Sequence, residues 1–182
     1  ANLRVAINNP LKSPEIAATT MKRGRGKSHI KGLPPLSNVE IQMECTVKWV
    51  GDMSFLAETG SGHSVLMDGA PEAGGRDLAP RPMEMVLAGP GGCTAFDVVM
   101  ILKRGRHDVR DCRVSLKADR AETDPKIFTR IHFTFTVSGR NLKHEAVERA
   151  VKLSAEKYCS ASIMLAKTAE ITHSVEVVDA PA

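Results

Sequence analysis

Apolar and polar residues alternate in short runs from Met43 onward. Cys45, Val47 and Trp49 alternate with Thr46 and Lys48, and similar runs follow at Ser54 to Glu58 and His63 to Met67. A period of two marks strands with one buried face. Gly51-Asp52 and Gly60-Ser61-Gly62 separate the runs as turns, so the three strands form an antiparallel meander. Two longer runs follow the same rule. Cys112, Val114, Leu116 and Ala118 form one, and Ile131, Phe133, Phe135 and Val137 the other, joined through Thr123-Asp124-Pro125 as a hairpin. Glu170 to Val178 reads as a last strand. Cys45 and Cys112 fall in phase with the buried faces.

Elsewhere the rhythm is helical. Met83, Val86 and Leu87, then Phe96, Val99, Met100 and Lys103, recur at helix spacing between Pro82 and about Gly105. Gly89-Pro90-Gly91-Gly92 interrupts them. Proline lacks a backbone donor, so the pattern predicts a break or kink there, with Cys93 at the start of a second helical stretch. Asn141 is placed to cap a helix running to about Tyr158, with Val147, Ala150, Val151 and Ser154 as its buried stripe. Cys159 falls at its end, and Ser160 is placed to cap a short helix from Ala161 to Lys167. Asp68 to Arg81 reads as a loop. Strands are grouped before and between helices rather than alternating with them, which predicts an α+β class.

Residues 1–42 show weak periodicity and carry breakers at Asn8-Asn9-Pro10 and Leu33-Pro34-Pro35-Leu36. They read as a basic extension, flexible or foreign to the domain, followed by one domain over residues 43–182. The charge agrees with this division. Residues 1–42 hold seven Lys and Arg against two acids, while the rest holds 18 against 19. Electrostatic contact with nucleic acid is thereby confined to the extension, and a nucleic-acid partner is not expected of the body. No apolar run is expected to reach membrane-spanning length once Pro90 divides the helix. No secretory leader is evident, so a cytoplasmic location is expected.

Aromatic residues make up 4% of the chain, which predicts a core of aliphatic side chains and Met. The four cysteines (Cys45, Cys93, Cys112, Cys159) contain no CxxC pair, which argues against a structural zinc site and a disulfide-stapled scaffold. The six histidines show no metal-ligand spacing, and no metal is expected. Cys93, at a predicted helix start, would meet the dipole and free N–H groups that stabilise a thiolate. Gly91-Gly92 would let a substrate approach the backbone. Cys159 is the candidate partner thiol. Glu84, nine residues earlier, and Arg76 and Arg81 before it are weaker candidates for orienting or activating Cys93. His63 and His173 are possible bases. The competing reading makes each cysteine a small packed hydrophobe and each charge a solvated one.

Two segments carry a resemblance. Arg81-Pro82-Met83-Glu84-Met85-Val86-Leu87-Ala88-Gly89-Pro90-Gly91-Gly92-Cys93 resembles the first active-site helix of the OsmC/Ohr family. Ser154-Ala155-Glu156-Lys157-Tyr158-Cys159-Ser160 resembles its second cysteine segment. Val47-Lys48-Trp49-Val50, Gly62-His63, Leu66-Met67-Asp68-Gly69 and Ile171-Thr172-His173-Ser174 extend the likeness across Met43 to about Val178, nearest to the family's YhfA-type branch. The resemblance implies an OsmC-like fold, with antiparallel sheets wrapped around central helices in an intertwined homodimer. It implies two-cysteine reduction of organic hydroperoxides in oxidative stress defence. Cys93 would be oxidised to a sulfenic acid, Cys159 would condense with it, and an external dithiol, lipoyl-type in the Ohr branch, would restore both. No metal, haem or flavin is implied. Two positions depart from the family pattern. Met83 stands where peroxidase members carry Glu, and Glu84 lies about 100° further around the helix. No body residue matches the family arginine. These departures motivate the alternative of a non-catalytic ligand-binding protein or redox sensor.

Overall fold

The computed structural model describes residues 43–180, and the expectations for residues 1–42 lie outside the described residues. The meander forms as the alternation predicts. Strands β1 (Cys45–Gly51), β2 (Ser54–Thr59) and β3 (Ser64–Met67) pair antiparallel in that order. Gly51 adopts φ +115° and Asp52 φ 45°, the left-handed backbone that the tight turn between β1 and β2 requires. One expectation fails in this sheet. Cys45, Val47 and Trp49 are exposed rather than buried, because the meander packs chiefly on itself and no helix of the chain covers that face.

The second sheet carries the core. Strands β4 (Asp108–Arg120) and β5 (Phe128–Arg140) form the expected antiparallel hairpin, and β6 (Glu170–Asp179) lies along the other side of β5. The pairing of β5 with β6 is parallel, since the chain returns through a helical crossover, as parallel neighbours require. Helices α1 (Pro82–Arg104), α2 (His144–Leu153) and α3 (Ser160–Leu165) pack with this sheet and one another. The core brings Val98 and Leu102 of α1 against Phe133 and Phe135 of β5 and Val147 and Val151 of α2. Three of the five phenylalanines are buried here. The scarce aromatics are thus spent on the core, and no Met is fully buried in it.

Helix α1 is the main departure from the sequence reading. It runs unbroken through Pro90. The Thr94 hydroxyl donates to the Pro90 carbonyl at 2.9 Å and lies 3.1 Å from that of Gly91, binding the turn that the proline weakens. Gly91 serves close packing rather than substrate approach. A Cβ at that position would come within 2.8 Å of Leu116 Cδ1 on β4. Because the helix is continuous, its length and composition would suit a membrane span, contrary to expectation. Its packing against β4, α2 and α3 makes it the central helix of this domain instead. A membrane helix would also have to bury the Asp97 carboxylate in lipid, at high cost.

The capping residues differ too. Asn141 adopts φ 51° in the turn leaving β5, and α2 begins after Lys143. Asparagine tolerates this left-handed conformation better than most side chains. The helix continues beyond Leu153 as a wider π turn, Ser154–Tyr158, closed by the Cys159 N–H on the Ser154 carbonyl at 2.9 Å. Cys159, not Ser160, then caps α3: its Sγ accepts from the Ser162 N–H at 3.4 Å. The predicted buried stripe of Val147, Ala150, Val151 and Ser154 is buried as expected.

A buried carboxylate organises the approach to α1. Asp68 accepts the Ser54 hydroxyl at 3.0 Å and the N–H groups of Gly69, Arg76 and Leu78 at 2.8, 3.1 and 3.0 Å. The Leu78 N–H leads the donors that hold its titration below the ordinary carboxylate range, against the opposing effect of burial. A carboxyl depressed on folding stabilises the fold above its unfolded value, about 3.9, and the benefit is lost as pH falls through the folded value. Asp68→Asn should therefore lower the thermal midpoint at neutral pH and weaken its dependence on acid below about pH 4. Calorimetry across that range checks this, and an identical acid limb in the variant would assign the transition to another group.

Candidate functional site

Two turns of α1 and the end of the π turn converge on one spot. Cys93 and Asp97 are four residues apart on α1, a spacing that places side chains on one helix face. Cys159 approaches from the junction between the π turn and α3. The two sulfurs and an Asp97 carboxylate oxygen all lie within 4.8 Å of one another. Cys159 is fully buried, Asp97 is 7% exposed and Cys93 is half-buried. The Ser154 hydroxyl donates to Asp97 Oδ2 at 2.9 Å, tying the first residue of the π turn to α1. The two cysteines singled out in the sequence, 66 residues apart, are thus neighbours.

The electrostatics of Cys93 differ from the expectation. It sits in the interior of α1, not at a helix start. Burial pushes its thiol up first, and the Cys159 thiol and the Asp97 charge add to the effect. The Ala161 N–H, at the start of α3, works in the opposite direction. The thiolate-stabilising donor therefore comes from a different helix than the one that carries the cysteine.

Other candidates lie elsewhere. Glu84 accepts the Arg81 N–H at 2.8 Å and so caps the start of α1. At 1.5 Å per residue it stands about 14 Å along the axis from Cys93. Arg81 pairs with Asp77 at 3.8 Å and Arg76 with Asp52 at 3.2 Å, both at exposed positions. No guanidinium is among the groups acting on Cys93. Met83 packs against the core. His63 lies 3.1 Å from the Ser61 hydroxyl. His173 rests beside Phe133, with ring centroids 5.4 Å apart, and its Nε2 has no partner. Burial, then His132, pushes its titration down.

Asp97 and Ser154 are the residues of the cluster that sequence reasoning did not assign a role. A signal was present for Asp97: it is the one charged residue between Glu84 and Lys103, four positions after Cys93. A charge in such a setting needs a reason. Removing it should ease thiolate formation. Asp97→Asn should speed alkylation of Cys93 by iodoacetamide at neutral pH by about three- to tenfold, since one pKa unit is a tenfold change in thiolate. Peptide mass mapping of the alkylated site measures it. An unchanged or slower rate would mean that the carboxylate does not act on this thiol.

Comparison with known proteins agrees with this architecture. The family model described as OsmC-like protein matches residues 74–174. Protein YhfA of Escherichia coli strain K12 is 56% identical over 138 residues, 76% of this chain and the whole of that protein. The crystal structure of a hypothetical protein from Aquifex aeolicus VF5 is 31% identical, covers 77% of this chain and 98% of its own, and superposes with a TM-score of 0.68. An organic hydroperoxide resistance protein OsmC from Legionella pneumophila shares the fold at 19% identity and a TM-score of 0.55, over 73% of this chain and 96% of its own. The matched residues include Cys93, Asp97 and Cys159, and on the strength of the family model and the identity to its relatives the chain belongs to the OsmC-like protein family.

Proposed function

We propose that this protein reduces organic hydroperoxides with Cys93 and Cys159 as a reversible pair. The observation that carries the reading is the meeting of the two thiols beside one another in a partly buried site. The Cys93 thiolate attacks one peroxide oxygen. The O–O bond breaks, the alkoxide takes a proton and leaves as the alcohol, and Cys93 becomes a sulfenic acid. The Cys159 thiol then displaces water and forms a disulfide. Exchange with an external dithiol, lipoyl-type in our reading, returns both thiols and oxidises the donor. No step calls on a metal or flavin. The name of the Legionella relative fits this chemistry.

Only the two cysteines enter these steps, and Glu84 and Arg81 are given no part in them. The protein acts as a homodimer in this reading. Phe96 is 69% exposed on α1, where an open apolar trough of about 640 Å³ runs past Val99 and Met100. Trp49 and Val47 lie uncovered on the meander. A second copy would cover such surfaces. We place the protein in the bacterial cytoplasm, where reduced thiols persist.

A specific observation favours a second reading, a ligand-binding or sensing protein without turnover. The Cys93 thiol is pushed up rather than down, and no arginine offsets this. One experiment separates the two. Thiols are counted, with intact mass, before and after an equimolar dose of cumene hydroperoxide. The peroxidase reading expects the loss of two thiols and about two mass units. Cys93→Ser should abolish peroxide consumption, and Cys159→Ser should stop at a sulfenic acid. The rate should also climb from neutral to alkaline pH, because a raised thiol pKa leaves little thiolate at neutrality. Intact thiols after treatment would reject turnover and turn attention to bound small molecules in gently purified protein.

A further inference from the structure

The Asp97 carboxylate lies at a place where peroxide chemistry has no evident use for it. It is buried beside two thiols, it raises the Cys93 pKa, and no salt bridge engages it among the described residues. A buried carboxylate with a single hydroxyl donor is under-compensated, and burial of charge calls for pairing or metal coordination. The neighbours offered to it are two sulfurs. The three donors together form a set that a borderline-soft cation neutralises and that calcium or magnesium would refuse.

We propose that Cys93, Asp97 and Cys159 form a binding site for a divalent cation of the zinc class. The distances allow it. Zinc binds sulfur at about 2.3 Å and carboxylate oxygen at about 2.0–2.2 Å, so a tetrahedral site needs sulfurs roughly 3.8 Å apart. The three donor atoms already lie within 4.8 Å of one another, and side-chain rotation of about 1 Å closes the set. Ser154 holds the carboxylate through Oδ2 and supplies the outer hydrogen bond that orients a metal-binding acid. Three protein donors leave a fourth position for water or a small thiol or anion. Binding converts two thiols to thiolates and releases two protons, so affinity rises with pH. The spacing of the cysteines conceals the set, because its third member joins from a different helix.

Metal and disulfide exclude one another here, since a metal-bound thiolate pair has no free sulfur to oxidise. The cation would therefore hold the pair reduced and shielded from peroxide. The site uses the same two thiols as the proposed peroxide chemistry but does not rest on it, and its test contains no peroxide.

The test is anaerobic titration of the reduced full-length protein with Co²⁺, followed by displacement with Zn²⁺. The expected result is a near-ultraviolet thiolate-to-cobalt charge-transfer band that saturates at one ion per chain and disappears with zinc. Cys93→Ser and Cys159→Ser should each abolish the band, and Cys45→Ser should leave it intact. Protein first oxidised to the disulfide should show none. Ser154→Ala, which keeps all three donors, should weaken binding by about tenfold. Asp97→Asn should weaken it at least as much, with circular dichroism as the check that the variant folds. Absence of the band in the wild-type protein, its survival in either Cys93→Ser or Cys159→Ser, or undiminished affinity in folded Asp97→Asn would overturn the proposal.

Discussion

Packed against β4 on one side and against the π turn and α3 on another, helix α1 holds Cys93 and Asp97 one turn apart and fixes where both point. The site depends on that helix staying whole. Were α1 broken at Pro90, Cys93 would begin a new helix with its own axis, and its alignment with Cys159 would be lost. What keeps the turn intact is local. Gly91 lets the backbone settle against Leu116, and the Thr94 hydroxyl bonds to the Pro90 carbonyl. The helix loses one backbone donor at the proline, and the surrounding packing tolerates that loss.

The cluster is held together by unlike forces. Hydrophobic burial of Val98 and Leu102 presses α1 onto the sheet, while the Ser154–Asp97 hydrogen bond pins the π turn to the same helix. A hydrogen bond to a buried carboxylate is strong for its kind, and its removal leaves a charge without a donor. The same carboxylate works against the thiolate that peroxide chemistry needs. The site thus sets two demands against each other, an anchored acid and an ionisable thiol. Only an added positive charge, from a cation or from a second chain, satisfies both.

Much of the fold was legible because period-two and helical patterns are strong where one face is buried. β4 and β5 show it plainly, with Cys112, Val114 and Leu116 half-buried and Phe133, Phe135 and Val137 fully so. β1 followed the same alternation and misled, because its apolar face needs a cover that the chain itself does not supply. The turn at Gly89-Pro90-Gly91-Gly92 misled for another reason: its stability lies in contacts with Leu116 and Thr94 that no local pattern records. The cysteine pair was legible from its segments. Glu84 and Arg81 drew notice by nearness in sequence, and helix rise carries them away. Asp97 was written in the sequence as a lone charge in an apolar stretch, but its meaning came from Ser154, 57 residues later.

The π turn between Leu153 and Cys159 has a consequence for how the chain tolerates changes of length. Its ring is closed from residue 159 back to residue 154, one residue wider than an ordinary helical turn. Deleting a single residue there would restore a regular helix and swing Cys159 by about 100° around the axis, taking its sulfur from α1 while leaving the hydrophobic stripe of α2 in place. The segment acts as a spacer of fixed length, in a region where the composition of the exposed residues is free but their number is not. The loop between β4 and β5 carries no such restriction, since a few added residues at a hairpin tip cost little closure entropy.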